Sequence, residues 1–257
     1  MDIEILIDNY NTVFINKTKQ KLRKLSVFST EGLERLMMEH YQFSLQNTEF
    51  LSRAAEVTRG FNTNAVSREL TRNHNEESGN AVMYKAALKK VGPDVDTREE
   101  FPPTTTFLAT IGKLVECEPS AVLGTLFATE TAAIFEHEVF LEISKEVIKR
   151  SNAEVAGKPL IAFHEMHLSG VEQGHKDELG IFLRGIDPEE PVANREGDRP
   201  TIYPSQVLQG AREAIDAMEA WWAALFAELE RCEKAGFGSR EASESLQQTV
   251  SPPAAGV

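Results

Sequence analysis

A chain of 257 residues is long enough to bury a substantial core without help from disulfides or a structural metal. Its 40 acidic against 27 basic residues give a formal charge of -13, which argues against a nucleic-acid backbone or an anionic membrane surface as a partner. Cys117 and Cys232 give no disulfide framework, the N-terminus MDIEILIDNYN lacks a signal-like apolar run, and there is no stretch of eighteen consecutive apolar residues, so the expectation is a cytoplasmic protein with no membrane span.

The pattern is helical almost throughout. KTKQKLRKL, around Leu22–Leu25, reads as a basic, solvated helix end. Ser29 or Thr30 caps the next helix, which carries Leu33, Leu36, Met37, His40, Tyr41, Ser44 and Leu45 near one side and runs to about Thr58. Asn62 or Asn64 opens a helix through Val66, Leu70 and His74. Gly79 interrupts it, and Met83–Val91 resumes the pattern until Gly92-Pro93. Asp94–Pro103 reads as a loop and Thr104–Cys117 as a helix. Pro119 then opens a long helix over about Ser120–Arg150. After a loop at Asn152–Pro159, a helix covers Leu160 to about Leu183. Gly185–Thr201 is polar and aperiodic. Pro204 or Ser205 begins a last helix to about Glu233, with Ile215, Met218, Trp222, Leu225 and Leu229 on its apolar face. No segment alternates like a half-buried strand. The reading is therefore all-α, a bundle of seven to eight helices, with residues 1–235 as one domain and 236–257, rich in Ser, Gly, Pro and Ala, as a disordered tail.

Four groups of residues could carry chemistry. Glu172 and His175, three apart in FHEMHLSGVEQGHKDELG, share a helix face; the alternative is a solvent-facing pair. Glu130 lies among Leu126, Phe127, Ala128, Ala132, Ala133, Ile134 and Phe135. A carboxylate in such surroundings needs a metal or a core Arg, Lys or Tyr. Glu76-Glu77 precede Gly79, and His137 follows Glu130 by two turns. His40, His74 and His137 each read more simply as hydrogen-bonded core or surface residues. There is no GxSxG, P-loop, GxGxxG or CxxC signature, and Cys117 has no evident base. Carboxylates and histidines on separate long helices suit two iron ions with mixed oxygen and nitrogen ligands.

The order and spacing of Glu77, Glu130 and HLSGVEQGH resemble the heme-oxygenase-like diiron oxidases, over about Glu31–Glu233. That superfamily shares its fold with thiaminase II and the pyrroloquinoline-quinone synthase, and includes the chlamydial death-domain-associating protein. Its pattern is Glu-x6-His, a lone Glu on the next long helix, then His-x3-Asp/Glu-x2-His. AREAIDAMEAWWAALF is similar to its closing helix. The resemblance implies Glu77, Glu130, Glu172 and His175 as ligands. Tyr84 stands where the first His is expected, and Leu168 where the second is. His167 is the nearest substitute for the latter. On an ideal helix it lies about 140° from Glu172, but a π-bulge near Gly170 restores the alignment. His164 lies roughly 16 Å along the axis from His175, too far for one compact centre.

The resemblance thus implies two irons per chain, or an iron–manganese pair, held by Glu77, Glu130, His167, Glu172 and His175, with O2 as co-substrate. Tyr84 becomes a phenolate ligand or a redox-active tyrosine, while His40, His74 or His137 could fill its place. His164, His137, Phe127, Phe163 and Met166 would form the outer shell and substrate pocket. The substrate would be a small metabolite, an amino acid, amine or acyl chain, free or tethered to a carrier protein. Relatives often form homodimers. The rival reading is a metal-free or degenerate member of the fold, either a cofactor-independent oxidase or a binding protein.

Overall fold

The computed structural model describes residues 2–189 and 202–248, the side chains of residues 62, 63 and 234–248 excepted. Its α-helical segments are α1 (Ile3–Leu22), α2 (Thr30–Val57), α3 (Ala65–Glu77), α4 (Asn80–Leu88), α5 (Pro102–Leu114), α6 (Pro119–Ser151), α7 (Lys158–Met166), α8 (Glu172–Ile181) and α9 (Pro204–Gln248). A π-helical turn, His167–Val171, joins α7 to α8 without a loop. Among the described residues there is no strand.

Local chemistry sets the helix starts. Ser29 Oγ accepts the Gly32 N–H at 3.1 Å, so Ser29, not Thr30, caps α2. Pro102 opens α5 two residues before the expected Thr104, because a proline loses nothing at a first-turn position whose N–H has no helical partner. The basic end of α1 is solvated as expected, with Lys17 and Lys19 exposed. Leu45, expected on the apolar side of α2, is instead exposed.

α6 is the central helix. Every residue from Val122 to Ala132 is buried, the signature of a helix surrounded by others rather than lying on a surface. α1, α2, α7, α8 and α9 all pack on it. The α6–α9 crossing is close because two glycines face backbone. A Cβ on Gly124 would stand 2.0 Å from the Val207 carbonyl oxygen, and one on Gly210 would stand 2.1 Å from that of Ala121. One hydrophobic cluster runs from Ile3 on α1 to Leu229 on α9, with Trp221 and Trp222 among its largest buried side chains. No helix among the described residues is long and apolar enough to cross a membrane.

α9 continues past the expected end at Glu233, so the proposed disordered tail, 236–257, begins as helix. The stretch Ser239–Gln248 carries two Glu and two Gln, with Arg240, Ala242 and Leu246, and has no proline before Pro252, which permits the helix to propagate through Gly236 and Gly238. Residues 249–257, and the polar connection at 190–201, lie outside the described residues.

Candidate metal centre

Acids and imidazoles from α3, α6, the π turn and α8 converge at one level of the bundle. The π turn is what aligns the last two elements. Five residues of ideal α-helix would put His167 and Glu172 on different faces. The extra residue per turn brings them together, and Gly170 takes up the distortion at φ 118°. His167 and Glu172 are both buried as a result.

Glu172 is the hub. Its Oε1 lies 3.5 Å from His137 Nε2 and 3.9 Å from His167 Nε2. Its Oε2 lies 3.9 Å from His175 Nδ1, which in turn is 3.6 Å from Glu130 Oε2. Ligand atoms of Glu77, Glu172 and His175 fall within 4.8 Å of one another, as do those of His137, His167 and Glu172. Asn80 Nδ2 donates to Glu77 Oε2 at 2.9 Å and stands 2.9 Å from His167 Nε2. Glu77 Oε1 and His175 Nδ1 are buried with no hydrogen-bond partner. Buried polar atoms are ordinarily paired, and ionisable ones above all.

Supporting groups orient the imidazoles. His167 Nδ1 donates to the Phe163 carbonyl at 2.7 Å, leaving the lone pair on Nε2, toward Asn80 Nδ2. His175 Nε2 meets Glu76 Oε2 at 3.0 Å, and Arg72 Nη1 anchors Glu76 at 2.6 Å. His137 Nδ1 and His164 Nδ1 are 3.1 Å apart, and the His137 and His167 rings stack at 4.1 Å.

The charge balance is unfavourable to three ionised acids. Burial, then Glu172 and Glu130, push the Glu77 carboxyl up to about 7. Burial and Glu130 push Glu172 up to about 8. Burial works against a charged His175, yet Glu130 and Glu76 overcome it and raise the imidazole to about 10. Burial lowers His137 to about 3 and His167 to about 4, so both are neutral at ordinary pH. A cavity of ≈ 40 Å³ adjoins the cluster, lined by Phe163, Ala133, Glu136, Ser44 and Asn47 among others, with no Lys or Arg. Protons are thus the only positive charge that the cavity walls supply, and a divalent cation would displace them. The residues present fit a metal on this ground: buried polar atoms without partners, mixed oxygen and nitrogen donors, and a deficit of positive charge.

The structure brings together Glu77, Glu130, His167, Glu172 and His175 as the sequence suggested. The placements of Tyr84, Phe127, Met166 and His137 differ from expectation. Tyr84 is fully buried but points elsewhere: its hydroxyl is 3.2 Å from His40 Nδ1 and its ring stacks on Phe163 at 4.6 Å. The break at Ser78-Gly79 restarts the helix as α4 and re-aims it, so Asn80 takes the inward position. Phe127 lies in the core and does not line the cavity, and Met166 is 39 % exposed. Phe163 does line it. His164 is buried in an outer layer against His137 and Tyr84. His137, expected either in that layer or in Tyr84's place, stands among the inner donors. His74 pairs with Asn75.

Sequence reasoning missed Asn80 and Glu136. Asn80's position just after the Gly79 break was the available signal. Glu136 is buried, accepts Trp222 Nε1–H at 3.0 Å and faces His40 Nε2 at 3.9 Å. Burial pushes its carboxyl up to about 7.

No family model and no curated protein matches this chain. Solved structures do. A CADD-like protein of unknown function from Nostoc punctiforme is 21% identical, with a TM-score of 0.65 over 84% of this chain and 98% of that one. A TenA homolog from Pseudomonas syringae pv. tomato is 13% identical, with a TM-score of 0.64 over 86% and 91%. A domain of unknown function with a heme oxygenase-like fold from Shewanella denitrificans is 16% identical, with a TM-score of 0.53 over 99% and 95%. At these identities the likeness establishes the fold, which is heme-oxygenase-like.

Proposed function

We propose that this heme-oxygenase-like chain is an O2-dependent non-heme iron oxidase that holds two irons, or iron with manganese, and acts on a small metabolite. The observation that carries the reading is Glu172. Its two carboxylate oxygens face two separate groups of buried donors, each compact enough for one ion. When bound, the ions would supply the electrons and the open coordination positions that O2 chemistry needs.

The chain's own residues would do the rest. Glu77, Glu130, Glu172, His167 and His175 hold the ions. The Phe163 carbonyl and Glu76 fix which imidazole nitrogen is free. The cavity has room for about three water-sized molecules at roughly 10–15 Å³ each, enough for O2 but requiring side-chain movement for an amino acid, amine or acyl chain. Glu136 lines it and holds a proton near neutral pH, so it is placed to deliver that proton to oxygen. The absence of Lys and Arg from the lining favours neutral or amine-bearing substrate parts over carboxylates.

A metal-free reading has one observation in its favour. Asn80 Nδ2 already sits between Glu77 Oε2 and His167 Nε2, giving each of these two atoms a partner without an ion. Metal analysis of protein produced with added iron, then anaerobic iron(II) titration and O2 exposure, separates the two. The oxidase reading expects two irons per chain and a transient visible absorption. No iron bound at excess iron(II) selects the metal-free protein.

A further inference from the structure

We propose that His137 is a metal ligand, and that His137, His167 and Glu172 Oε1 hold the second ion in place of any ligand from α4. This assignment rests on the two-metal reading and makes α6 a double contributor, with Glu130 facing one ion and His137 the other.

The distances are the first argument. The Glu172 Oε1 separations of 3.5 Å and 3.9 Å from the two Nε2 atoms exceed hydrogen-bond length. They match donors arranged around one ion. Donor atoms about 2.1 Å from a metal stand roughly 3.0 Å apart at right angles and about 4.2 Å apart when opposed. The two imidazoles stack nearly parallel, 11° between planes and 4.1 Å apart, with both Nε2 atoms toward Glu172 Oε1; because each lone pair lies in its ring plane, holding one ion requires the rings to splay from this stack. All three side chains are buried.

Proton placement is the second argument. The Phe163 carbonyl fixes the His167 proton on Nδ1. His137 Nδ1 meets His164 Nδ1, so only one of the two nitrogens carries the hydrogen. With the hydrogen on His137, its Nε2 lone pair faces Glu172 and His164 becomes the orienting acceptor. In that tautomer His164 carries its own hydrogen on Nε2, which is buried without a partner.

The third argument removes the alternative. Tyr84 stands seven residues after Glu77, but its hydroxyl is engaged with His40 and its ring with Phe163.

The test is metal stoichiometry, by anaerobic iron(II) titration and with cobalt(II) as an absorbing substitute, on wild type, His137→Ala, His137→Gln and Tyr84→Phe. Circular dichroism and melting temperature check folding. The expected result is two equivalents for wild type and Tyr84→Phe but one for each His137 variant, with the second equivalent restored to His137→Ala by added imidazole. His137→Gln keeps the side chain's bulk and serves if the alanine variant unfolds. Two equivalents in a folded His137 variant overturn the ligand assignment alone. One equivalent in Tyr84→Phe overturns it in favour of the phenol. Fewer than two ions in wild type overturn the two-metal reading, and this assignment with it.

Discussion

Two buried carboxylate regions lie in this bundle, and they are solved differently. Glu39 on α2 is fully buried, with Arg98 Nε donating at 2.8 Å and Arg35 Nε at 2.9 Å from the same oxygen. Its positive charge comes from inside the fold, so it is a structural ion pair. Glu77, Glu130 and Glu172 are nearly as buried, but the cavity beside them has no Lys or Arg in its lining. Their compensation is protons, imidazoles and the Asn80 amide. Burial of an acid alone therefore does not mark a site. Burial without an internal cation does, because the missing charge must come from outside.

Swapping charge for amide in each region should give opposite results. Glu172→Gln is expected to abolish uptake of both ions, since each donor group uses one of its oxygens, while leaving the metal-free melting temperature unchanged or higher. Glu39→Gln should leave metal stoichiometry intact but cost up to about 3–5 kcal/mol, because two part-buried guanidinium groups lose their buried counter-charge. Metal titration and denaturant melts on both variants check this. A Glu39→Gln protein as stable as wild type would break the comparison, as would a Glu172→Gln protein that still binds two ions.

Proton balance sharpens it further. Glu77 and Glu136 are raised to about 7, Glu172 to about 8 and His175 to about 10. Above pH 6.5 the metal-free native state thus binds more protons than the unfolded chain. Stability then falls as pH rises, steepest between pH 6.5 and 8, where the three acids ionise. Below pH 6.5 the lowered His137 and His167 act in the opposite sense. Loaded with metal, the acids are ionised against a cation, so melting temperature should stay level or rise over the same window. Thermal melts at pH 6.5, 7.5 and 8.5, with and without metal, read this directly. Equal slopes in both forms would mean that the cation does not sit among these acids.

Much of this was legible in the sequence, and the failure at Tyr84 has a definite cause. Glu130 announced itself by its apolar neighbours, since α6 is surrounded. The π turn followed from His167, Gly170 and Glu172 together. What failed was counting across a break. Seven residues from Glu77 led to Tyr84, but Ser78-Gly79 ends one helix and begins another with Gly79 at φ 99°, and Asn80 turns inward instead. Periodicity holds only within an uninterrupted helix. His137 was misplaced for a related reason: being two turns from Glu130 fixes its face but not how far along α6 the centre extends.

Glu76 offers the smallest and finest test. It is 43 % exposed and beside Glu77 in sequence, so it reads as surface. Yet it accepts from His175 Nε2 and is held by Arg72, and the hydrogen bond from His175 is the main reason its own carboxyl is lowered. Its effect on the centre is indirect: it keeps the His175 hydrogen on Nε2, so that Nδ1 faces Glu130 and Glu172. Groups in this position typically tune metal affinity about 10–100-fold. Glu76→Gln retains an acceptor but loses the charge, so affinity for the ion at Glu77, Glu172 and His175 should fall toward the lower end of that range, with stoichiometry still two. The ion at His167 should be unaffected, which competition titration resolves as one weakened site and one unchanged. Equal weakening of both would mean that Glu76 acts through general electrostatics rather than through the His175 tautomer.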